Sequence, residues 1–197
     1  MEPFPYTHHV AKIVFYGLIV VFVGLEMLTR VRSRLRAGGA PAERLSFFVV
    51  IGGVAVGLVG ALLAAAQLGS AAIEPARLPV FLAGAVLTAA GIVLRQWAIV
   101  VLGGSFTVEV RVRRDQRVIE SGPYRLLAHP SYTGMIMSLT GIGLMLGNWV
   151  SLAALALIPT AGLLFRIRAE ERVLLAELGE PYRRFLATRA RLVPGVW

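Results

Sequence analysis

An imidazole at His129, a phenol at Tyr132, a guanidinium at Arg166 and carboxylates at Glu170 and Glu171 are side chains that can together hold a small molecule carrying both signs of charge. They fall in two stretches. One is Gly122-Pro123-Tyr124-Arg125-Leu126-Leu127-Ala128-His129-Pro130-Ser131-Tyr132-Thr133-Gly134, the other Arg166-Ile167-Arg168-Ala169-Glu170-Glu171. An imidazole can donate to a carboxylate, and a carboxylate can receive an ammonium or hydroxyls. Arg166 and Glu170 are four residues apart, which puts them on one face of a helix. From His129 the chain runs 18 residues to Gly147, turns at Asn148, and runs 18 more from Trp149 to Ile167. At about 1.5 Å per residue each leg covers roughly 27 Å, close to the thickness of a bilayer's hydrocarbon layer. His129 and Glu170 are therefore expected to return to the same membrane surface.

The elements that must position these groups are set by composition. Of 197 residues 57% are hydrophobic and 16% charged, and the mean hydropathy is +0.74, far too apolar for an ordinary soluble domain. The chain reads as all-α, an integral membrane helical bundle with about five transmembrane helices plus a short C-terminal amphipathic helix. The spans are expected over 10–29, 45–68, 78–102, 129–146 and 149–167, with the basic amphipathic helix over 182–191. The first stretch lacks the basic leader of a cleaved signal and runs into arginines. We read a single membrane domain: three N-terminal spans (1–102), a cytoplasmic connector (103–128), a helical hairpin (129–167) and a segment closing the site (168–197). The absence of cysteine excludes disulfides, thiolate metal sites and cysteine nucleophiles. His8-His9 lacks companions for a metal site.

Arginine distribution gives orientation. Arg30, Arg32, Arg34, Arg36 and Arg44 join spans one and two; Arg111, Arg113, Arg114, Arg117 and Arg125 join spans three and four; seven more follow the last span from Arg166 onward. Lys12 and Arg77 alone lie near the opposite surface. The positive-inside rule then places the N-terminus outside and the C-terminus, with the His129 and Glu170 ends, in the cytoplasm, as in a bacterial or archaeal inner membrane. The same arginines attract anionic membrane lipid. No nucleic-acid module arranges them, so nucleic acid is not an expected partner.

Within the spans, Gly53, Gly57, Ala61 and Ala65 line one face of span two and suit close helix packing. Neither the glycines there nor Gly141, Gly143 and Gly147 form a nucleotide-binding loop: no Lys-Ser/Thr ending follows the first, and no strand precedes the second. Arg95 and Gln96 lie at the end of span three, where an ionisable side chain is expensive unless paired or hydrated, so both are expected to face the site. Snorkelling to the boundary is the other role open to Arg95. The connector mixes Val108, Val110, Val112, Val118 and Ile119 with charges and suits either a short strand or a membrane-lying segment. Helix is expected to continue past span five as far as a break at Gly179-Glu180-Pro181.

Taken together, these motifs resemble the isoprenylcysteine carboxyl methyltransferase family, whose relatives include membrane phospholipid methyltransferases. The likeness covers 94–194, about half the chain: Ser121-Gly122-Pro123-Tyr124, then His129-Pro130-Ser131-Tyr132-Thr133-Gly134, then a hairpin, Glu170-Glu171, and Leu178-Gly179-Glu180-Pro181-Tyr182. The resemblance implies methyl transfer from S-adenosylmethionine to a lipophilic small-molecule or prenylated acceptor, in a pocket at the cytoplasmic membrane boundary. By position in the motif, Gln116, Arg117, Val118, Ile119, Tyr124, His129, Pro130, Ser131, Tyr132 and Glu170 would bind the cofactor. Arg166 matches the arginine facing the acceptor carboxylate and is the catalytic candidate; Arg95 would join it on the acceptor side.

Singly, these residues have ordinary roles as well. His129-Pro130 suits a helix start, Arg166 and Glu170 a surface ion pair, Glu171 a solvated charge, and the tyrosines interfacial anchors. One departure bears on the acceptor: the family's signature begins with an arginine where this chain has Ala128, with Arg125 three residues earlier. Two other readings share the architecture. One is an NADPH-dependent membrane reductase resembling steroid reductases, whose relatives carry an acidic residue where this chain has Met135. The other is a noncatalytic lipid-binding membrane protein.

Overall fold

The computed structural model describes residues 3–36, 45–74, 76–103 and 118–195. The helices are α1 (Phe4–Thr7), α2 (His9–Arg36), α3 (Leu45–Gln67), α4 (Arg77–Leu102), α5 (Pro130–Met145), α6 (Trp149–Leu178) and α7 (Glu180–Thr188). Single 3-10 turns at Gly69–Ala71 and Gly122–Arg125 link α3 to α4 and lead into α5. Among the described residues there are isolated β-bridges but no strand. The protein is a multi-pass integral membrane protein of all-helical architecture.

Among the described residues four helices are long and apolar enough to cross a bilayer: His9–Ser33, Leu45–Gln67, Arg77–Leu102 and Trp149–Leu178. The expected fifth span is α5, whose 16 residues cover roughly 24 Å, short of a hydrocarbon core of about 30 Å. His129 caps α5 at one end and the left-handed Gly147 (φ 64°) turns the chain at the other, so the helix is shorter than the apolar run. Ten of its residues are buried, which marks α5 as a helix enclosed by its neighbours rather than one facing lipid.

That enclosure rests on small residues. A Cβ added at Gly91 of α4 would lie 2.6 Å from the carbonyl oxygen of Gly134 and 2.5 Å from Ser138 Oγ, both on α5. Gly84 stands in the same relation to Gly141, so the two backbones touch along two helical turns. Thr88 and Ser138 sit between them, fully buried, and each returns its hydroxyl to its own helix, to Gly84 O at 2.8 Å and Gly134 O at 2.9 Å. The small face of α3 packs against α6 as its spacing predicts: Gly57 faces Ala154 and Pro159, and Ser151 Oγ donates to Ala61 O at 2.7 Å. Asn148 fixes the start of α6, its Oδ1 accepting from the Val150 and Ser151 amides while Nδ2 donates to Leu68 O at 2.8 Å.

Helix α6 runs unbroken to Leu178 and ends at Gly179, in the left-handed region at φ 61°, where the sequence placed a break. The last helix is shorter than the expected 182–191. It stops at Thr188 because the next residues pair in extended form with the chain before α5: Ala128 N–H donates to Ala190 O at 2.7 Å and His129 N–H to Arg191 O at 3.0 Å. Its apolar side, Tyr182 and Phe185, is buried with Ala98, Tyr124 and Ala128 rather than lying in lipid.

Candidate functional site

One end of the bundle gathers the C-terminal ends of α2, α4 and α6 and the N-terminal ends of α3 and α5. Nearly all the buried charge of the described residues lies there, in three linked groups.

The first is built on Arg95, only 6% exposed near the end of α4. A guanidinium so placed must be paired. Its Nε and Nη2 both donate to the Glu26 carboxylate of α2, Nη2 to Oε2 at 2.8 Å, while Nη1 donates to Ser131 Oγ at 2.8 Å and Ser131 O at 3.1 Å. Arg95 thus ties three helices together and does not snorkel. Glu26 went unread in the sequence, although a lone carboxylate in the apolar run of α2 is itself a signal for a buried partner. Gln96, expected beside Arg95, instead lines a groove with Thr29 and Ser33 of α2, since adjacent helical residues point about 100° apart.

The second group joins Arg166 and Glu170 through a third residue. Tyr132 donates its hydroxyl to Glu170 Oε2 at 2.6 Å and accepts from Arg166 Nε at 2.8 Å; Arg166 Nη1 also reaches Ser46 Oγ at 3.1 Å. A single phenol therefore spans guanidinium and carboxylate, and α3, α5 and α6 meet at it. Arg166 is 4% exposed, which rules out a surface ion pair. His129 and Glu170, read as distant in sequence but close in space, do share this end of the molecule.

His129 begins the third group. It is buried at the N-cap of α5, ahead of Pro130 in the first turn, and its ring stacks on Tyr132 at 5.7 Å between centroids. Its Nε2 lies 3.1 Å from Glu171 Oε1. A carboxylate only accepts, so Nε2 carries the proton of that bond and Nδ1 is left for other contacts. Arg191 Nε donates to both oxygens of Glu171, at 3.0 and 3.3 Å. Thr133 Oγ1 donates to Leu192 O at 2.8 Å, completing the attachment of the C-terminal segment to the His129 turn. Glu171 is thus engaged on both sides rather than solvated, and Arg191 was not read from sequence because its contact is made by an extended segment with no periodicity. Arg125 is exposed, whereas Ala128 is buried against Ala190.

Beside these groups lies an apolar cluster of Tyr124, Tyr182, Phe185, Val118 and Ile119. Burial, and then the Glu170 carboxylate, push the Tyr124 and Tyr182 phenols above their ordinary range, so both stay protonated and can donate at neutral pH. Of the residues expected to bind cofactor, Val118, Ile119, Tyr124, His129, Pro130, Ser131, Tyr132 and Glu170 fall in this region, though Ser131 is turned to Arg95. Gln116 and Arg117 lie outside the described residues.

Comparison with known proteins bears on what such a site does. Residues 84–176 match the isoprenylcysteine carboxyl methyltransferase (ICMT) family. Protein-S-isoprenylcysteine O-methyltransferase B of Arabidopsis thaliana is 34% identical over 94 residues, 47% of this chain and 48% of the relative. Protein-S-isoprenylcysteine O-methyltransferase A of the same plant is 32% identical over 115 residues, 57% and 58% of the two chains. Protein-S-isoprenylcysteine O-methyltransferase of Schizosaccharomyces pombe is 33% identical over 94 residues, 47% and 40%. The chain spans about half the length of these curated relatives. The family segment begins within α4, so Glu26 and Ser46 precede it.

Proposed function

We propose that this chain, which belongs to the isoprenylcysteine carboxyl methyltransferase family, transfers a methyl group from S-adenosylmethionine to the carboxylate of a lipophilic acceptor at the cytoplasmic boundary of a membrane. The observation that carries this reading is the Tyr132 hydroxyl held between Arg166 and Glu170, which joins an anion-binding and a cation-binding group in one place. Support for the cytoplasmic side comes from the arginines crowded toward this end of the bundle.

The residues present fit the donor's chemistry. S-adenosylmethionine carries an ammonium, a sulfonium, a carboxylate and ribose hydroxyls; when bound it supplies a methyl group activated for direct displacement. Glu170, oriented by Tyr132, is placed to receive the ammonium or the hydroxyls. The cluster of Val118, Ile119, Tyr124 and Tyr182 offers an apolar surface with phenolic donors for the flat base. His129, which donates from Nε2 to Glu171, would have Nδ1 to accept from the donor's ammonium or hydroxyls.

On the acceptor side, Arg166 is fixed by Tyr132 and Ser46, and its guanidinium is suited to orient a carboxylate. A carboxylate is ionised near neutral pH, so the reaction needs no general base. With S-adenosylmethionine as the methyl source, no side chain of the protein would have to take up a proton. The protein's work would be alignment and the exclusion of water.

Titration calorimetry on the purified protein tests the reading. S-adenosylmethionine should bind, and Glu170→Ala and His129→Ala should each weaken it by about tenfold or more, as expected for loss of a charge-assisted hydrogen bond. Unchanged binding in both variants removes the proposed site, and preferential binding of NADPH in a parallel titration would favour a reductase. Isotopically labelled methyl donor incubated with native lipid extract, followed by mass spectrometry, identifies the acceptor.

A further inference from the structure

Helix α2 packs on α4 and α5, and α3 on α6, so that a cleft is left between α2 and α3. Its apolar wall is Phe47, Val50, Ile51, Met135 and Leu163. Its charged residues are Glu26, Arg30, Arg95 and Arg166, and Tyr132 forms the wall shared with Glu170. Arg30 stands four residues after Glu26 on α2, on the same helix face, where an ion pair between neighbours would ordinarily form. Glu26 instead gives both oxygens to Arg95. Arg95 is thereby neutralised and its donors are used, whereas Arg30, half-buried, has no carboxylate partner among the described residues. Among the described residues that line it, three guanidiniums stand against one carboxylate, with Glu170 behind Tyr132.

We propose that Arg30 is a specificity-determining residue: in this α2–α3 cleft it recognises the anionic group of a single-chain amphiphile whose tail lies along Phe47, Val50 and Ile51. This rests on the methyltransferase reading for the purpose of the cleft, since Arg166 and Tyr132 connect it to the donor side. It goes further by assigning acceptor choice to the two helices that precede the family segment. The pairing of Glu26 with Arg95 leaves Arg30, beside Arg166, to meet the incoming anion. An acceptor with a cationic amine headgroup is disfavoured by the same charge balance.

Direct binding tests this apart from turnover. The probes are S-farnesylthioacetic acid and its primary amide, titrated against the full chain in nanodiscs of zwitterionic phosphatidylcholine and followed by tryptophan fluorescence. The acid should bind more tightly than the amide. Arg30→Gln should weaken the acid by about tenfold while leaving the amide unchanged, and Arg30→Lys should restore part of the difference. S-adenosylmethionine affinity should be unaltered in both variants. Equal binding of acid and amide, no binding of the acid, or an Arg30→Gln variant that still discriminates would each overturn the assignment. Repetition in discs containing anionic phosphatidylglycerol separates the two sources of an anion: acid binding that survives supports an acceptor site, and displacement by the lipid means that Arg30 serves the headgroup surface instead. A failure of S-adenosylmethionine to bind would sink the methyltransferase reading without touching this result.

Discussion

At the scale of single residues, the Tyr132 hydroxyl carries the most consequence for its size. It donates to Glu170 and accepts from Arg166, so its removal strips one partner from each of two charged groups in a place poor in water. Tyr132→Phe keeps the ring and its stacking on His129. We expect a loss of about tenfold to a hundredfold in kcat/KM for methyl transfer, the cost of one or two hydrogen bonds to charged groups, and a lower melting temperature, because buried Arg166 and the Glu170 carboxylate each lose a partner. Steady-state kinetics with labelled donor, beside a thermal melt in detergent, checks both halves; full activity would mean that the bridge is incidental. Tyr132, Arg166 and Glu170 were legible in sequence because motif and helix spacing brought them together. The phenol as the link between the other two was not legible, because it depends on how α5 rotates against α6. Glu26 and Arg191 escaped for a related reason. Each meets its partner across a long stretch of chain, Glu26 with Arg95 and Arg191 with Glu171, and no local pattern encodes such a meeting.

Among the elements, α5 shows how a helix too short to span a bilayer by composition can still hold the central position. It is lined with glycines where α4 approaches and with Gly143 where Leu152 of α6 approaches. The small face of α3 could be read from its four-residue spacing, and its packing on α6 follows that reading. The α4–α5 contact was hidden because Gly84 and Gly91 are seven residues apart, two turns on one face, within a run that otherwise looks like any lipid-facing span. Gly91→Ala should therefore lower the melting temperature markedly, since the new methyl would lie 2.6 Å from backbone atoms of α5 and the helices must separate. Overpacking of this kind costs about 1–3 kcal/mol. Gly17→Ala on α2, with nothing within 4 Å of the added carbon, is the control and should be neutral or slightly stabilising. Equal melting temperatures for the two variants would show that the α4–α5 contact does not limit stability.

For the whole molecule, the decisive matter is which way the bundle faces and how many times it crosses. The site end collects the last turns of α2, α4 and α6, while Asn148, Leu68 and Phe4 lie toward the other, the Phe4 ring tilted against Phe81 near the start of α4. The α5–α6 turn is at that far end, so α5 runs the full distance between the two ends despite its length, and the termini are opposed. With α5 counted beside the four long helices, the traverses would be five, an odd number. The chain contains no cysteine, so single replacements report topology without background. Thr7→Cys lies beyond the start of α2, and Arg183→Cys lies on α7, where its side chain is 75% exposed. A membrane-impermeant maleimide should label Thr7→Cys in intact cells and Arg183→Cys only after permeabilisation. Labelling of both from one side would mean an even number of crossings, with α5 failing to traverse. Reversal of the two would put Glu170 and His129 on the face away from the cytoplasm, where S-adenosylmethionine is made, and the arginine asymmetry would then have to be explained by something other than insertion.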